Sequence, residues 1–279
     1  MKFTLILATI NRSTEVARFL ESLSLQEWQD LELLLVDQNP NDFLEKLITP
    51  FKAMLPITHL RSAPGLSRSR NIGLAHATGD VVAFPDDDCW YSPGLLKQVA
   101  GFLSANPDWD GITGRSIDET GCISAGRWDT TPGLLNRRNV WRRGISFTIF
   151  LRRNVVRKVG LFDESLGAGA GTRWGSGEET DYLIRAIDSG FRLWFEPTLQ
   201  VYHPQPTPSY GASTLHRARS YGRGMGHVLR KHRYPLWDVA YHCLRPLGGA
   251  TLSIFKGHWR KAYYHSTVAL GRWEGWWDQ

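Results

Sequence analysis

Apolar residues along the first hundred positions fall into two alternating patterns. Residues 3–10 form a mostly apolar run, which predicts a buried strand, and residues 14–25 place Val16, Phe19, Leu20 and Leu23 on one helical face. Residues 31–36 are apolar but for Glu32, and read as a strand covered on both faces. A helical stretch at 41–51 and a short strand at 57–60 follow, then a helix opened by Gly65 and running to about 77. Residues 81–84 predict a further buried strand. Ser92-Pro93 pairs an N-cap residue with proline at the first helical position, starting a helix toward 103. This alternation predicts βαβ crossovers and an α/β fold, a mostly parallel central sheet flanked by helices.

The rhythm changes at Asp110. Residues 109–117 and 146–151 read as strands separated by a long polar excursion, and such a connection in a compact enzyme is usually a binding element. Residues 162–177 carry five glycines and predict a mobile loop, 178–189 a helix, and 191–195 and 199–202 two short strands. Pro204, Pro206 and Pro208 form a linker to helical segments rich in Arg, Gly and aromatic residues. The expected domains are therefore 1–208, with halves 1–109 and 110–208, and a basic, aromatic-rich helical tail at 209–279.

With 279 residues, 42% of them hydrophobic and 22% charged, the chain can close a substantial core, which excludes wholesale disorder. Cys89, Cys122 and Cys243 lie far apart with no CxxC pair, pointing away from a disulfide framework or thiolate zinc site and toward a reducing, cytoplasmic compartment. Residues 3–10 run straight into Asn11-Arg12-Ser13 with no small-residue cleavage site, so they read as a first strand rather than a secretory leader. No run reaches the roughly 18 apolar residues of a membrane span. The net charge is +6, with the basic excess concentrated in 211–265. That excess suits an anionic partner, whether nucleic acid, phospholipid headgroups or a pyrophosphate-bearing substrate, or an ordinary solvated face.

Candidate chemistry begins after the 81–84 strand, where Pro85 precedes Asp86, Asp87 and Asp88. Open α/β sheets bind ligands beyond the carboxyl ends of their strands. Three adjacent carboxylates repel one another, and Mg²⁺ or Mn²⁺ shared with substrate phosphate relieves that repulsion. An acidic turn capping the next helix is the alternative, set against the cap that Ser92-Pro93 already supplies.

The order Thr9-x-Asn11-Arg12, Asp37, Gly65-Leu66-Ser67-Arg68-Ser69-Arg70-Asn71-Ile72-Gly73, Gly79-Asp80 and Phe84-Pro85-Asp86-Asp87-Asp88 resembles the family 2 glycosyltransferases, over about residues 3 to 204. The resemblance implies a GT-A-type fold with a DxD metal motif, here followed by a C-terminal helical extension. It implies inverting transfer of a sugar from a nucleotide-diphosphate donor to a hydroxyl of a saccharide or lipid-linked acceptor, in cell-envelope polysaccharide or glycolipid synthesis. By the same resemblance Thr9, Asn11 and Arg12 line the nucleotide pocket, Asp37 meets the base or ribose, Arg70 and Asn71 border the nucleotide, and Asp86 and Asp87 lie beside it. Asp88, with Asp86 and His203, would hold the Mn²⁺ or Mg²⁺ that bridges the diphosphate. For His203 a structural role is the alternative. Gln38 departs from the pattern, since many relatives carry a second acid after the Asp37 position.

Glu178-Glu179-Thr180-Asp181 opens a helix, and four-residue steps back from Leu183 and Tyr182 put both glutamates at the start of its buried stripe. A sugar hydroxyl is a poor nucleophile until a base takes its proton. The resemblance implies that an acidic pair here supplies that base, its second member aligning with Glu179. The assignment between Glu178 and Glu179 stays open. Ser176-x-x-Glu179 also fits a capping box, which accounts for Glu179 but not Glu178.

Two rivals share parts of this pattern. A sugar nucleotidyltransferase wants a Gly- and Lys-rich loop after the first strand, which Ala8-Thr9-Ile10-Asn11-Arg12 is not. A non-catalytic, membrane-peripheral assembly protein of the same fold would not need intact acidic clusters. In the tail, Arg217, Arg219, Arg223, Arg230, Lys231 and Arg233 precede Trp237, Tyr241, Phe255, Trp259, Tyr263, Trp273, Trp276 and Trp277. That succession predicts peripheral docking on an anionic membrane at the inner face of the cell membrane, with no nucleic-acid partner. Closure of the tail over the donor, or a dimer interface, are the alternatives.

Overall fold

Seven consecutive buried residues make Phe3–Thr9 (β1) a central strand. Leu31–Asp37 (β2) and Val81–Ala83 (β4) flank it, both parallel, and Ile57–Arg61 (β3) extends the parallel set beyond β2. Gly111–Ile117 (β5), Gly133–Leu134 (β6), Ile149–Arg152 (β7) and Leu193–Tyr202 (β8) complete an eight-stranded sheet of order β3-β2-β1-β4-β7-β5-β8-β6. Only β6 and β7 run against the others. The carboxyl ends of β1, β2, β4, β5 and β8 therefore share one edge, where ligands of open sheets bind. The protein is described by a computed structural model covering residues 1–205 and 210–278; Pro206, Pro208 and the expected 208/209 boundary lie outside the described residues.

Six helices accompany the sheet: Thr14–Ser24 (α1), Phe43–Ile48 (α2), Leu66–His76 (α3), Leu95–Ala105 (α4), Arg153–Val159 (α5) and Glu178–Asp188 (α6). The expected stripe of Val16, Phe19, Leu20 and Leu23 is the buried face of α1, closing one core with β1, β2, α2 and α4.

Three expectations are corrected. First, α4 begins at Leu95 with Gly94 at the cap position, not after Ser92-Pro93. The Gln26 carboxamide does the capping instead, accepting from Leu96 N–H at 3.2 Å and donating to the Ser92 carbonyl at 2.7 Å. Second, 193–202 is one strand rather than two. Its pairing with β5 shifts between Thr113 and Arg115, so the stretch around Pro197 bulges out of the ladder and the missing N–H breaks nothing. Gly114 permits this, because a Cβ there would lie 2.1 Å from the Leu199 carbonyl oxygen. Third, residues 146–148 form a 3-10 turn before β7 rather than part of the strand.

The described residues divide into two units. One contains the sheet, from Met1–Pro64, Arg68–Phe162 and the segment from Tyr182 through β8; the other gathers Gly65–Ser67, Asp163–Asp181 and the tail. The tail forms three helices, Ala212–Lys231 (α7), Leu236–Phe255 (α8) and Trp259–Trp277 (α9). Gly222 and Gly226 of α7 face Gly271 and Gly275 of α9 backbone to backbone: a Cβ at Gly226 would lie 2.1 Å from the Arg272 carbonyl oxygen, and one at Gly275 2.0 Å from that of Arg223.

A carboxylate clamp ties the start of β1 to the loop before β4. Glu32 accepts hydrogen bonds from Lys2 Nζ (2.6 Å), Thr4 Oγ1 (2.5 Å), and the Thr78 amide and hydroxyl (both 2.7 Å). Burial raises its pKa, but these donors outweigh it and bring the value down to about 2. Because the folded value lies below the unfolded one, the contribution is present above about 4.5 and is lost as pH falls toward 2. Glu32→Gln should cost about 1–2 kcal/mol after discounting for solvent screening. Urea unfolding at pH 7 should show that loss, and the gap should narrow at pH 3.

Candidate active site

Two backbone bridges assemble the sheet unit's polar centre. Asp86 pairs with Ala8 beside β1, and Trp90 pairs with Tyr202 at the end of β8. The second bridge brings Asp88 and His203 together, with His203 Nε2 3.2 Å from Asp88 Oδ1. Arg12 reaches the same cluster, its Nη1 2.5 Å from Asp88 Oδ2 and 3.3 Å from Asp87 Oδ1. Thr9 closes the group by donating to Asp87 Oδ2 at 2.8 Å. Five predicted residues thus form one connected network.

Asp86 faces another way. It accepts from Arg70 Nη2 and Ser146 Oγ, each at 3.0 Å. Arg70 is fully buried, with its guanidinium 5.5 Å from the centre of the Phe162 ring. The neighbouring Asn71 donates to the Phe162 carbonyl (3.0 Å) and accepts from its N–H (2.8 Å). These two residues of α3 position the site's walls.

Asp37 is completely buried, and both its oxygens have protein partners. One accepts from the amide and side chain of Asn39, at 2.8 and 2.6 Å; the other meets Arg61 at 2.9 Å and His59 at 3.1 Å. Asn39 in turn accepts from the Asn11 N–H at 2.7 Å, fixing Asn11 at φ 56°. That left-handed backbone is uncommon outside glycine and tolerable for asparagine. Asn39, His59, Arg61, Ser146 and Phe162 are the site residues that sequence reasoning missed. Only the position of His59 and Arg61 in β3, adjacent to β2, offered a signal.

The three carboxylates differ electrostatically. Burial raises Asp86, with Arg70 opposing. Burial pushes Asp87 up to about 7, against Arg12 and Thr9. Burial also works to raise Asp88, but His203 and Arg12 outweigh it and bring Asp88 down to about 2. Burial lowers His203, and its contacts with Asp88 raise it overall.

The donor set fits a shared divalent cation. His203 Nδ1 lies 2.7 Å from the Pro204 carbonyl, an arrangement that fixes the ring and leaves Nε2 directed at Asp88. Phe147 stacks on the imidazole at 5.0 Å. Among the described residues no group of three His, Cys, Asp or Glu side chains could hold a metal by itself. Two protein ligands with the remainder from phosphate and water is a common arrangement for Mg²⁺.

In the other unit, α6 opens at Glu178. The Asp181 N–H donates to the Gly177 carbonyl at 2.8 Å, and the Ser176 hydroxyl donates to Tyr221 at 2.9 Å. Glu178 is buried, and a Cβ on Gly167 would lie 3.1 Å from its carboxyl group. Glu179 is half-buried. Asp181 pairs with Lys231 and His232, each at 2.8 Å. The glycine-rich segment expected to be mobile has neither helix nor strand, yet it is tied down: Ala168 accepts from Leu66 N–H, Leu166 from the Ser67 hydroxyl, and Trp174 stacks on His227 at 3.7 Å.

The sequence pattern of the family described as Glycosyl transferase family 2 matches residues 4–160, more than half of the chain. The chain belongs to glycosyl transferase family 2. The family segment carries β1 to β7 and the residues from Thr9 to Asp88, while Glu178, Glu179, His203 and the tail lie beyond it. Glycosyltransferase AglE of Haloferax volcanii is 24% identical over 211 residues, covering 72% of this chain and 66% of the relative. The chain spans no more than about two thirds of the curated relatives reported first, the next two being covered to 37% and 35%. Two solved structures share the GT-A-type fold. Staphylococcus aureus TarS 1–349 superposes with a TM-score of 0.65 at 16% identity, covering 95% of this chain and 90% of that one. Mannosyltransferase PcManGT from Pyrobaculum calidifontis, solved with GDP-Man and Mn²⁺, gives 0.70 at 17% identity, covering 100% and 88%.

Proposed function

We propose that this family 2 protein is an inverting, metal-assisted glycosyltransferase that uses a nucleotide-diphosphate sugar. The observation that carries the reading is the Asp88–His203 pair, brought together beyond the ends of β4 and β8 with the imidazole already oriented through Pro204. The nucleotide sugars in structures with this fold, GDP-Man for PcManGT and UDP-GlcNAc for TarS, support the donor class. Asp88 and His203 would hold Mn²⁺ or Mg²⁺, which when bound neutralises the charge growing on the leaving diphosphate.

The chain's own residues do the rest. Arg12 contributes a fixed positive charge beside Asp87 and Asp88. Asp37, through Asn39, sets the Asn11 turn and so shapes the nucleotide pocket from behind. Arg70 and Ser146 orient Asp86 toward the nucleotide. Glu179, in the first turn of α6, takes the proton from the acceptor hydroxyl as the anomeric bond forms, and a single displacement inverts that centre. Glu178 packs against Gly167 and supports the loop. The acceptor is a saccharide or a lipid-linked sugar of cell-envelope polysaccharide or glycolipid synthesis, and a lipid-linked acceptor would bring the cytoplasmic enzyme to the inner face of the cell membrane.

Incubation with a panel of sugar nucleotides, with Mn²⁺ or with excess chelator, tests this. One donor should be hydrolysed to nucleoside diphosphate in Mn²⁺ only. Condensation of a nucleoside triphosphate with a sugar 1-phosphate would instead identify a nucleotidyltransferase, and no turnover of any donor would sink the catalytic reading.

A further inference from the structure

The α8–α9 hairpin is built inside out. A soluble helix normally turns its large apolar side chains inward. Here the buried face of α8 is Val239, His242, Cys243, Pro246, Ala250 and Ser253, and that of α9 is Ala262, Ala269, Gly271, Gly275 and Trp276. The outer faces carry the bulk instead. Trp237, Tyr241, Leu244 and Phe255 recur along α8 at helical spacing, and Trp259, Tyr263, Leu270, Trp273 and Trp277 along α9, all exposed. More than half of the exposed large apolar side chains among the described residues lie on these two helices.

Charge on this surface is one-sided. The turn between the helices exposes Phe255 (84%) and Trp259 (67%) together with Lys256, Arg260 and Lys261. Of the three acids in the hairpin, Glu274 pairs with Arg219 and Arg223, Asp278 pairs with Arg173, and Asp238 is half-buried. The basic helix α7 has much of its charge engaged within the unit: Arg219 and Arg223 by Glu274, Lys231 by Asp163 and Asp181, with Arg230 over Trp276. The candidate docking surface therefore lies on α8 and α9 rather than on the arginine-rich stretch that the sequence singles out.

We infer that the outer face of α8–α9 seats in the headgroup and upper acyl region of an anionic lipid bilayer, with the turn from Phe255 to Lys261 as its leading edge. Two observations choose this occupant over a second copy of the chain. Indole and phenol rings interleaved with Lys and Arg match the chemistry of the bilayer interface. The hairpin's three acids are ion-paired or half-buried, so exposed acids able to neutralise the turn in a symmetric pairing are absent from its described residues. Among the described residues no helix is long and apolar enough to cross a membrane, so the hairpin lies on the bilayer. The inference deepens the proposed work on a lipid-linked acceptor, but its readout requires neither donor nor acceptor.

Flotation of the full chain with vesicles of phosphatidylcholine alone, or with about one third phosphatidylglycerol, tests it. The anionic vesicles should carry the protein and the neutral ones far less. Replacing Lys256, Arg260 and Lys261 by Gln should weaken binding by about fivefold per charge and reduce its salt dependence. Phe255→Ser with Trp259→Ser should weaken it by roughly tenfold or more, since the buried rings supply the apolar contribution. Both variants alter exposed positions only, and an unchanged thermal transition confirms their fold. Removing 235–279 would be the wrong test, because it strips α9 from the glycine face of α7. Absence of binding to anionic vesicles, or binding indifferent to both variants, overturns the proposal. So does a lipid-free dimer that Phe255→Ser with Trp259→Ser dissolves while vesicles carry nothing, which would assign the face to a second copy.

Discussion

Glu179→Gln should leave donor affinity within about twofold of the parent while lowering turnover by about two to four orders of magnitude, the usual range for loss of a general base. The substitution keeps the size of the side chain and removes only its ability to take a proton. Glu179 sits in the first turn of α6. Glu178→Gln should act differently. Its carboxyl group is buried against Gly167, so a stability loss and a change in the glycine-rich loop are expected, with a smaller effect on turnover. Single-turnover rates and donor binding for both variants separate the cases. A slower Glu178→Gln exchanges the two roles, and full turnover by both would reduce the acidic pair to a helix terminus.

Asp88→Asn is expected to reduce Mn²⁺-dependent binding of the nucleoside diphosphate by about 100-fold or more, since even groups behind a metal's ligands are worth 10- to 100-fold. Asparagine can still accept from Arg12, so the substitution isolates the loss of negative charge. His203→Ala should weaken the same binding, and both variants should keep the parent's far-ultraviolet dichroism. The structure supplies a pointed alternative. Arg12 already lies against Asp87 and Asp88, and a protein cation in that place could serve without metal. Full activity in excess chelator, abolished by Arg12→Gln, would establish it and remove the metal from the reaction.

Local pattern determined a good deal of this protein. The largely apolar runs of β1 and β2 mark them as buried strands, and the stripe on α1 names its own buried face. The Asp86–Asp88 triplet stood out as candidate chemistry because it follows a buried strand, and a strand end on an open sheet is where ligands bind. Residues whose meaning depends on a distant partner could not be read in that way. Gln26 caps α4 from about seventy positions away, and the Ser92-Pro93 signal is overruled by that tertiary contact. Pro197 marks a strand break by its own chemistry, yet Gly114 on β5 lets the chain bulge and continue. Asp88 and His203 meet only because Trp90 and Tyr202 pair their backbones. In the tail, the sequence displayed aromatics and cations but not which helix face they occupy. Close approach of α7 and α9 through Gly222, Gly226, Gly271 and Gly275 leaves little room for rings on the buried side and places them outside. Periodicity records which side of an element is apolar; what that side meets is set by the packing of remote segments, whose register no local window contains.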